Sequence, residues 1–150
     1  MTNATNEGFP INVLVGRRLD EYRAETRGDT LYLLTRDPAQ RYGTAGLAYE
    51  FVHEQDCCES VEIVRFSVDG EPTGVIVSAR VFVASNEEPE WFPGFSGTGR
   101  ESWTLTRVEI RSDRGGLLSV TWLGQSNGYY NEGIGLRDDE GKPVDWEVTA

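Results

Sequence analysis

Apolar and polar residues alternate along most of this chain, with turn residues at short intervals. Such period-two patterning predicts strands, and no stretch carries a convincing helical stripe. Ile11, Val13 and Val15 alternate first, and Thr30–Thr35 (Thr-Leu-Tyr-Leu-Leu-Thr) is a compact strand-like run. Leu47, Tyr49 and Phe51 share one face of a third segment, and Val61–Phe66 forms a fourth that stops at Asp69-Gly-Glu-Pro72. Val75, Val77, Ala79, Val81 and Val83 hold one phase through the longest segment, to Ala84. Trp103 and Leu105 then set one phase while Val108 and Ile110 set the other, which predicts a β-bulge near Thr106 or Arg107.

Asp113–Gly116 reads as a hairpin turn into Leu117–Leu123. Asn127-Gly128 is the strongest short-range hairpin signal, with a strand expected from Tyr129 to about Leu136. Asp138–Lys142 is a polar turn before a last edge strand, Val144 to Val148. Arg17 to Arg27 has the composition of one short helix but suits a strand equally. The fold class expected is therefore mostly β: a single antiparallel domain, barrel-like or sandwich-like, with at most one short helix. One domain covers residues 1–150, with 1–10 as a flexible N-terminal segment, because 150 residues suit one core.

Charge narrows the function classes. Acidic residues number 25 against 14 Lys and Arg, a net charge of −11, which disfavours direct contact with a nucleic-acid backbone. The acids are spread over both halves, and Arg residues interrupt them, so a DNA mimic with regular rows of carboxylates is only a distant alternative. No apolar run approaches the roughly 20 residues that span a bilayer. The first residues show neither a basic nor an apolar leader region, so the expected location is cytoplasmic.

Three clusters could carry chemistry or contact. The first, His53-Glu-Gln-Asp-Cys-Cys-Glu59, holds the only His and both Cys. Its phase continues from Phe51, so His53 is expected to point inward. A Cys thiolate with His53 as base, a metal site on His53 and Cys57 or Cys58, and a small-ligand turn formed by His53, Gln55, Asp56, Cys57, Cys58 and Glu59 all remain open. Each meets an objection. Surrounding carboxylates raise a thiol's pKa, and adjacent cysteines point in divergent directions. Adjacent Cα atoms lie about 3.8 Å apart, below the usual disulfide window, so two reduced thiols are expected. The alternative with fewest objections is a buried turn whose polar groups satisfy the backbone. No cofactor and no resident metal are expected.

The second cluster, Gly124-Gln-Ser-Asn-Gly-Tyr-Tyr130, contains the hairpin signal and could present Ser126, Asn127, Tyr129 and Tyr130 to a ligand. The third, Glu87–Phe95, is a loop whose Trp91, Phe92 and Phe95 suit a partner-binding tip or fold back over the sheet.

His53-x-Gln-Asp-Cys-Cys-Glu59-x-Val61, followed some sixty residues on by Trp122-x-Gly-x-Ser-Asn-Gly-Tyr-Tyr130, resembles a family of small proteins encoded mainly by bacteriophages and their hosts, catalogued as a domain of unknown function. The resemblance runs from about Val13 to Leu136. It implies a phage accessory protein acting in the host cytoplasm, and a meeting of the two motifs in space. The expected function is then a non-enzymatic binding module for a host protein or a small ligand. Exposed β edges also leave room for a homodimer. A metal- or thiol-dependent site on His53, Cys57 and Cys58 is the alternative.

Overall fold

A computed structural model describes residues 7–25, 28–40, 46–95 and 100–146. Among these there is no helix. Ten strands form one continuous antiparallel sheet: β1 (Phe9–Pro10), β2 (Arg18–Glu25), β3 (Thr30–Arg36), β4 (Leu47–Val52), β5 (Ser60–Asp69), β6 (Gly74–Ser85), β7 (Ser102–Ser112), β8 (Leu117–Ser126), β9 (Gly135–Arg137) and β10 (Pro143–Val144). Their order across the sheet is β10-β9-β4-β3-β2-β6-β7-β8-β5, with β1 added beside β6. Among the described residues the sheet does not close into a barrel.

Two parts of this sheet are joined by only two residue pairs, Arg18↔Val75 and Leu19↔Gly74. That narrow seam lets the sheet fold over on itself. Leu19, Leu31, Leu33, Tyr49 and Phe51 from β2–β4 meet Val81, Val108, Ile110, Leu118, Val120 and Trp122 from β6–β8 in one core. Trp122 is the largest fully buried side chain, its ring 6.4 Å from Phe51. Its indole N–H donates to the Asp29 carbonyl at 2.7 Å, across the sandwich. The Asp29 carboxylate accepts the Ile63 amide at 2.9 Å. Asp29 adopts φ +51°, a left-handed conformation that Asp tolerates better than most side chains. A single turn residue thus ties the β2–β3 hairpin to both β8 and β5.

Several sequence expectations hold, and others give way for identifiable reasons. The Arg17–Arg27 segment supplies strand β2, because Tyr22, Arg23 and Ala24 pair with Leu33, Tyr32 and Leu31. Ile11, Val13 and Val15 do not form the expected strand. Residues 12–16 turn instead, burying Ile11 and Leu14 at a three-residue spacing and leaving Val15 exposed. The expected bulge in β7 is absent: Ser102–Arg111 pairs with β8 without a shift. The apparent phase slip records burial on both faces. Trp103 and Leu105 face a second apolar cluster while Val108 and Ile110 face the main core. Register shifts fall instead between Leu19 and Glu21, Ile63 and Arg65, and Ile76 and Ser78.

The Asn127-Gly128 hairpin does not form. β8 ends at Ser126, and the next strand, β9, pairs with β4 and β10 rather than with β8. A type I′ turn needs φ > 0 at both central residues, and only Gly128 (φ +95°) has it. The polar turn at Asp138–Lys142 does form, closed by the Asp138 amide on the Lys142 carbonyl at 2.9 Å. The expected edge strand from Val144 to Val148 is replaced by Pro143–Val144, because the chain leaves the sheet at Asp145 and turns at Trp146; residues 147 and 148 lie outside the described residues, as do residues 1–6 of the expected flexible segment.

Replacing Trp122 with Ala removes the main contact between the two parts of the core, at an expected cost of about 3–5 kcal/mol. Trp122→Phe keeps an aromatic ring but leaves the half-buried Asp29 carbonyl without its donor, at a cost of about 1–3 kcal/mol. Urea unfolding followed by circular dichroism distinguishes the two; equal, small shifts would mean that the seam alone holds the fold.

Candidate functional site

β4 ends at Val52 and β5 begins at Ser60, so His53–Glu59 is the connection between a strand of each part of the sandwich. Glu59 is its centre, with a side chain wholly enclosed. One carboxylate oxygen accepts the Cys57 amide at 2.8 Å and the Gln55 side-chain amide at 3.0 Å. The other accepts the Asp56 amide at 3.0 Å and faces His53 Nε2 at 3.1 Å. Gln55 also donates to the Glu59 carbonyl at 2.8 Å. A carboxylate can take about four such bonds, and here the turn itself supplies them. Burial is the largest single influence on this group and opposes its ionisation. The Cys57, Glu59 and Asp56 amides and the His53 ring together outweigh it, bringing the pKa from 4.5 down to about 2.

His53 points inward, as expected, with its side chain 6% exposed. Its Nδ1 donates to the Gly133 carbonyl at 2.7 Å, so the ring is held between a carbonyl and a carboxylate, both acceptors.

Gly133 belongs to the connection after the second motif. Its neighbour Glu132 is a second buried carboxylate, ringed by hydroxyls. Ser102 donates at 3.1 Å and Thr104 at 3.0 Å to one oxygen, and Ser126 donates to the other. Ser126 Oγ in turn accepts the Gly128 amide at 3.0 Å. The Glu132 backbone passes so close to β8 that a Cβ on Gly124 would lie 2.2 Å from its carbonyl oxygen. That close approach explains the glycine. It also explains the lost hairpin, because the chain after Asn127 is drawn under Ser126 rather than alongside it.

The two motifs therefore meet. Ser60, next to Glu59, pairs with Gln125, and Val61 pairs with Gly124. Of the residues singled out from sequence, His53, Gln55, Glu59 and Ser126 are committed to internal bonds. Asp56, Cys57, Cys58 and Asn127 are exposed, Tyr130 is half-buried, and Tyr129 is 88% exposed. Cys57 and Cys58 are joined as a vicinal disulfide, correcting the expectation of two reduced thiols. The usual Cα window describes residues remote in sequence, whereas adjacent residues close a small ring through their own peptide bond. Glu132 escaped the sequence reading. It is one acid in the glycine-rich stretch Asn131–Gly135, and nothing local distinguishes it from a solvated one.

Trp91, Phe92 and Phe95 do not stand clear of the molecule. They pack on Trp103, Leu105 and Leu123. Phe95 sits edge-on to Trp103 at 4.7 Å, Trp91 lies 5.9 Å from Phe82, and the Arg65 guanidinium covers Phe92 at 4.4 Å. All three rings stay half-buried. Two surface hollows are small. One of about 170 Å³ is bordered by Val52, Glu54, Asn131 and Arg137, and another of about 270 Å³ by Leu47, Tyr49, Asp138 and Lys142. Both fall short of the roughly 300–1,000 Å³ of ordinary ligand pockets. Among the described residues, no group of three or more His, Cys, Asp and Glu side chains is arranged to hold a metal ion.

The depressed Glu59 pKa fixes the sign of a pH effect. Above about pH 4.5 the carboxylate is ionised in both folded and unfolded chains, and its bonds stabilise the fold fully. As pH falls from there through about 2, the unfolded chain takes up the proton first and that stabilisation is lost. The stability gap between wild type and Glu59→Gln should accordingly be full at pH 6 and shrink steadily in urea titrations below 4.5. A gap independent of pH would place the Glu59 contribution in packing rather than charge. Gly124→Ala should cost near the top of the roughly 1–3 kcal/mol range for overpacking, because backbone rather than a movable side chain stands in the way. Thermal melting checks this, and an unchanged midpoint would show that the 127–134 connection is free to move aside.

No curated protein and no solved structure matches this chain. One family model does, over residues 12–136, which span all of β2 through β8 and both motifs. The chain belongs to the family described as the domain of unknown function DUF7448.

Proposed function

We propose that this chain is a non-enzymatic binding module, a phage-encoded accessory protein that offers the 127–130 turn to a host protein. The observation that carries the reading is the contrast at this turn: Tyr129 is 88% exposed, while the chain on either side is tied down from below. Ser126 and Glu132 anchor the two ends of the connection, and the Gly128 and Tyr129 amides bond to Ser126 Oγ and Asn127 Oδ1. A tyrosine held on an ordered turn loses little freedom when it binds, and tyrosine is enriched among residues that dominate interface energetics. A net charge of −11 suits a partner with a basic surface and speeds its approach.

Internal satisfaction of both buried carboxylates supports the same reading. A general base needs a free lone pair within reach of substrate, and Glu59 and Glu132 spend theirs on the protein's own donors. The small hollows favour a protein over a small-molecule ligand. The Trp91 loop remains a contributor to contact through its exposed edges, secondary to Tyr129 because its rings already serve the fold. The setting in which this would operate is the host cytoplasm.

Native mass spectrometry of untagged protein, purified without chelator from a bacterial host, together with affinity capture from bacterial lysate, tests the proposal. Tyr129→Ala should change stability by less than about 0.5 kcal/mol, as expected for an exposed side chain, yet abolish capture of a defined protein retained by wild type. Trp91→Ala should lower the melting temperature. Capture indifferent to Tyr129→Ala would overturn the turn as the binding element. A bound metal or small molecule lost in His53→Ala would replace the proposal with the metal- or thiol-centred alternative.

A further inference from the structure

β5 is the last strand of the sheet, paired among the described residues only with β8. Its second half exposes Phe66 (46%) and Val68 (37%), large apolar side chains on an open edge. Both occupy the side that faces the core elsewhere, opposite Val120 and Leu118. Arg65, Ser67 and Asp69 occupy the other side, opposite Thr121, Ser119 and Leu117. The bulge between Ile63 and Arg65 sets this arrangement, because it advances the side-chain alternation by one residue.

Backbone direction follows from one hydrogen bond. Ile63 gives its amide to Asp29 and not to β8, so it belongs to the residues whose N–H and C=O point away from the sheet. Ile63 pairs with Trp122, and Phe66 and Val68 pair with Val120 and Leu118, each two residues further along β8. In an antiparallel ladder such positions share one orientation. The amides and carbonyls of Phe66 and Val68 therefore face the open edge.

We infer that this edge pairs with the same edge of a second copy of the chain, antiparallel, about a two-fold axis at Ser67. In that register Phe66 of each copy faces Val68 of the other, Ser67 faces Ser67, and Arg65 faces Asp69. The outward amides and carbonyls of Phe66 and Val68 then exchange four hydrogen bonds, apolar side chains meet on one side, and two opposite-charge pairs form on the other. Moving the axis to Phe66 sets Arg65 against Ser67, and moving it to Val68 sets Ser67 against Asp69. Neither pairs Arg65 with an acid of β5, which ends at Asp69, so complementarity within the strand selects the axis at Ser67. Self-pairing also covers the edge and apolar strip that would otherwise recruit strands at random. The ladder is short and each copy carries a net charge of −11, so the dimer belongs to the weak, concentration-dependent class.

Sedimentation equilibrium of the full chain is the test, and its arms exploit the symmetry. Wild type should approach twice the 16.7 kDa of one chain as concentration rises. Arg65→Asp and Asp69→Arg each convert both opposite pairs into like pairs, and each should raise the dissociation constant about tenfold. An equimolar mixture of the two variants should dimerise again. In the mixed pair, positions 65 and 69 are both acidic in one copy and both basic in the other, so each contact joins opposite charges. Melting curves confirm that each variant is folded. A wild type that stays monomeric at the highest soluble concentration overturns the inference. So does dimerisation that both variants retain, or variants that fail to rescue one another, which would assign the edge to another occupant or the contact to another surface.

Discussion

The bond from the Trp122 indole to the Asp29 carbonyl, with the Ile63 amide on the Asp29 carboxylate, is the constraint on which the rest of the molecule depends. The sheet is continuous through only two residue pairs of β2 and β6, too few to set the angle between its parts. What sets that angle is the core between them, and Trp122 is its largest member. An indole buried without a partner for its N–H carries a penalty of about 1–3 kcal/mol. Asp29 removes that penalty from across the sandwich, so the hydrophobic contact and the hydrogen bond demand the same geometry. With the parts held this way, the end of β4 stands beside the start of β5, and the connection between them becomes the His53–Glu59 turn.

That turn and its neighbour solve one physical problem twice. Each buries a carboxylate within a ring of donors, the first drawn from its own turn and the second mainly from neighbouring strands. Glu59 draws on backbone amides, an amide side chain and an imidazole; Glu132 draws on three hydroxyls from β7 and β8. The His53 bond to Gly133 joins the two systems, so the polar residues that resemble catalytic material form a brace. It leaves Tyr129 projecting from a connection anchored at both ends, and the proposed binding role rests on that arrangement.

Legibility in the sequence followed the range of each interaction. Local pattern identified β3, β4, the first half of β5, β6 and β8 as strands, but the single phase expected from Val75 to Val83 fails, because the bulge between Ile76 and Ser78 buries Ile76 and exposes Val77. Alternation misread β7 because a central strand buried on both faces has no polar phase, and two apolar faces mimic a bulge. It misread residues 11–15 because a turn that buries Ile11 and Leu14 leaves spacing that looks like a strand with Val13 and Val15 included. Asn127-Gly128 carried the right propensity, yet the hydroxyl cage around Glu132 offered the following residues a better place than a hairpin partner.

An all-β domain, its acidity and the inward aim of His53 are written in the order of the residues. These depend on neighbours along the chain and on composition. Folding added that the motifs touch, that Glu132 is buried, that the aromatic loop lies on Trp103, and that one edge of β5 is open. Each of these requires residues far apart in the chain to share one surface, and the energy of a buried charge depends on which donors surround it. Glu59 and Glu132 are identical letters to any of the exposed acids; only the donors folded around them make them structural.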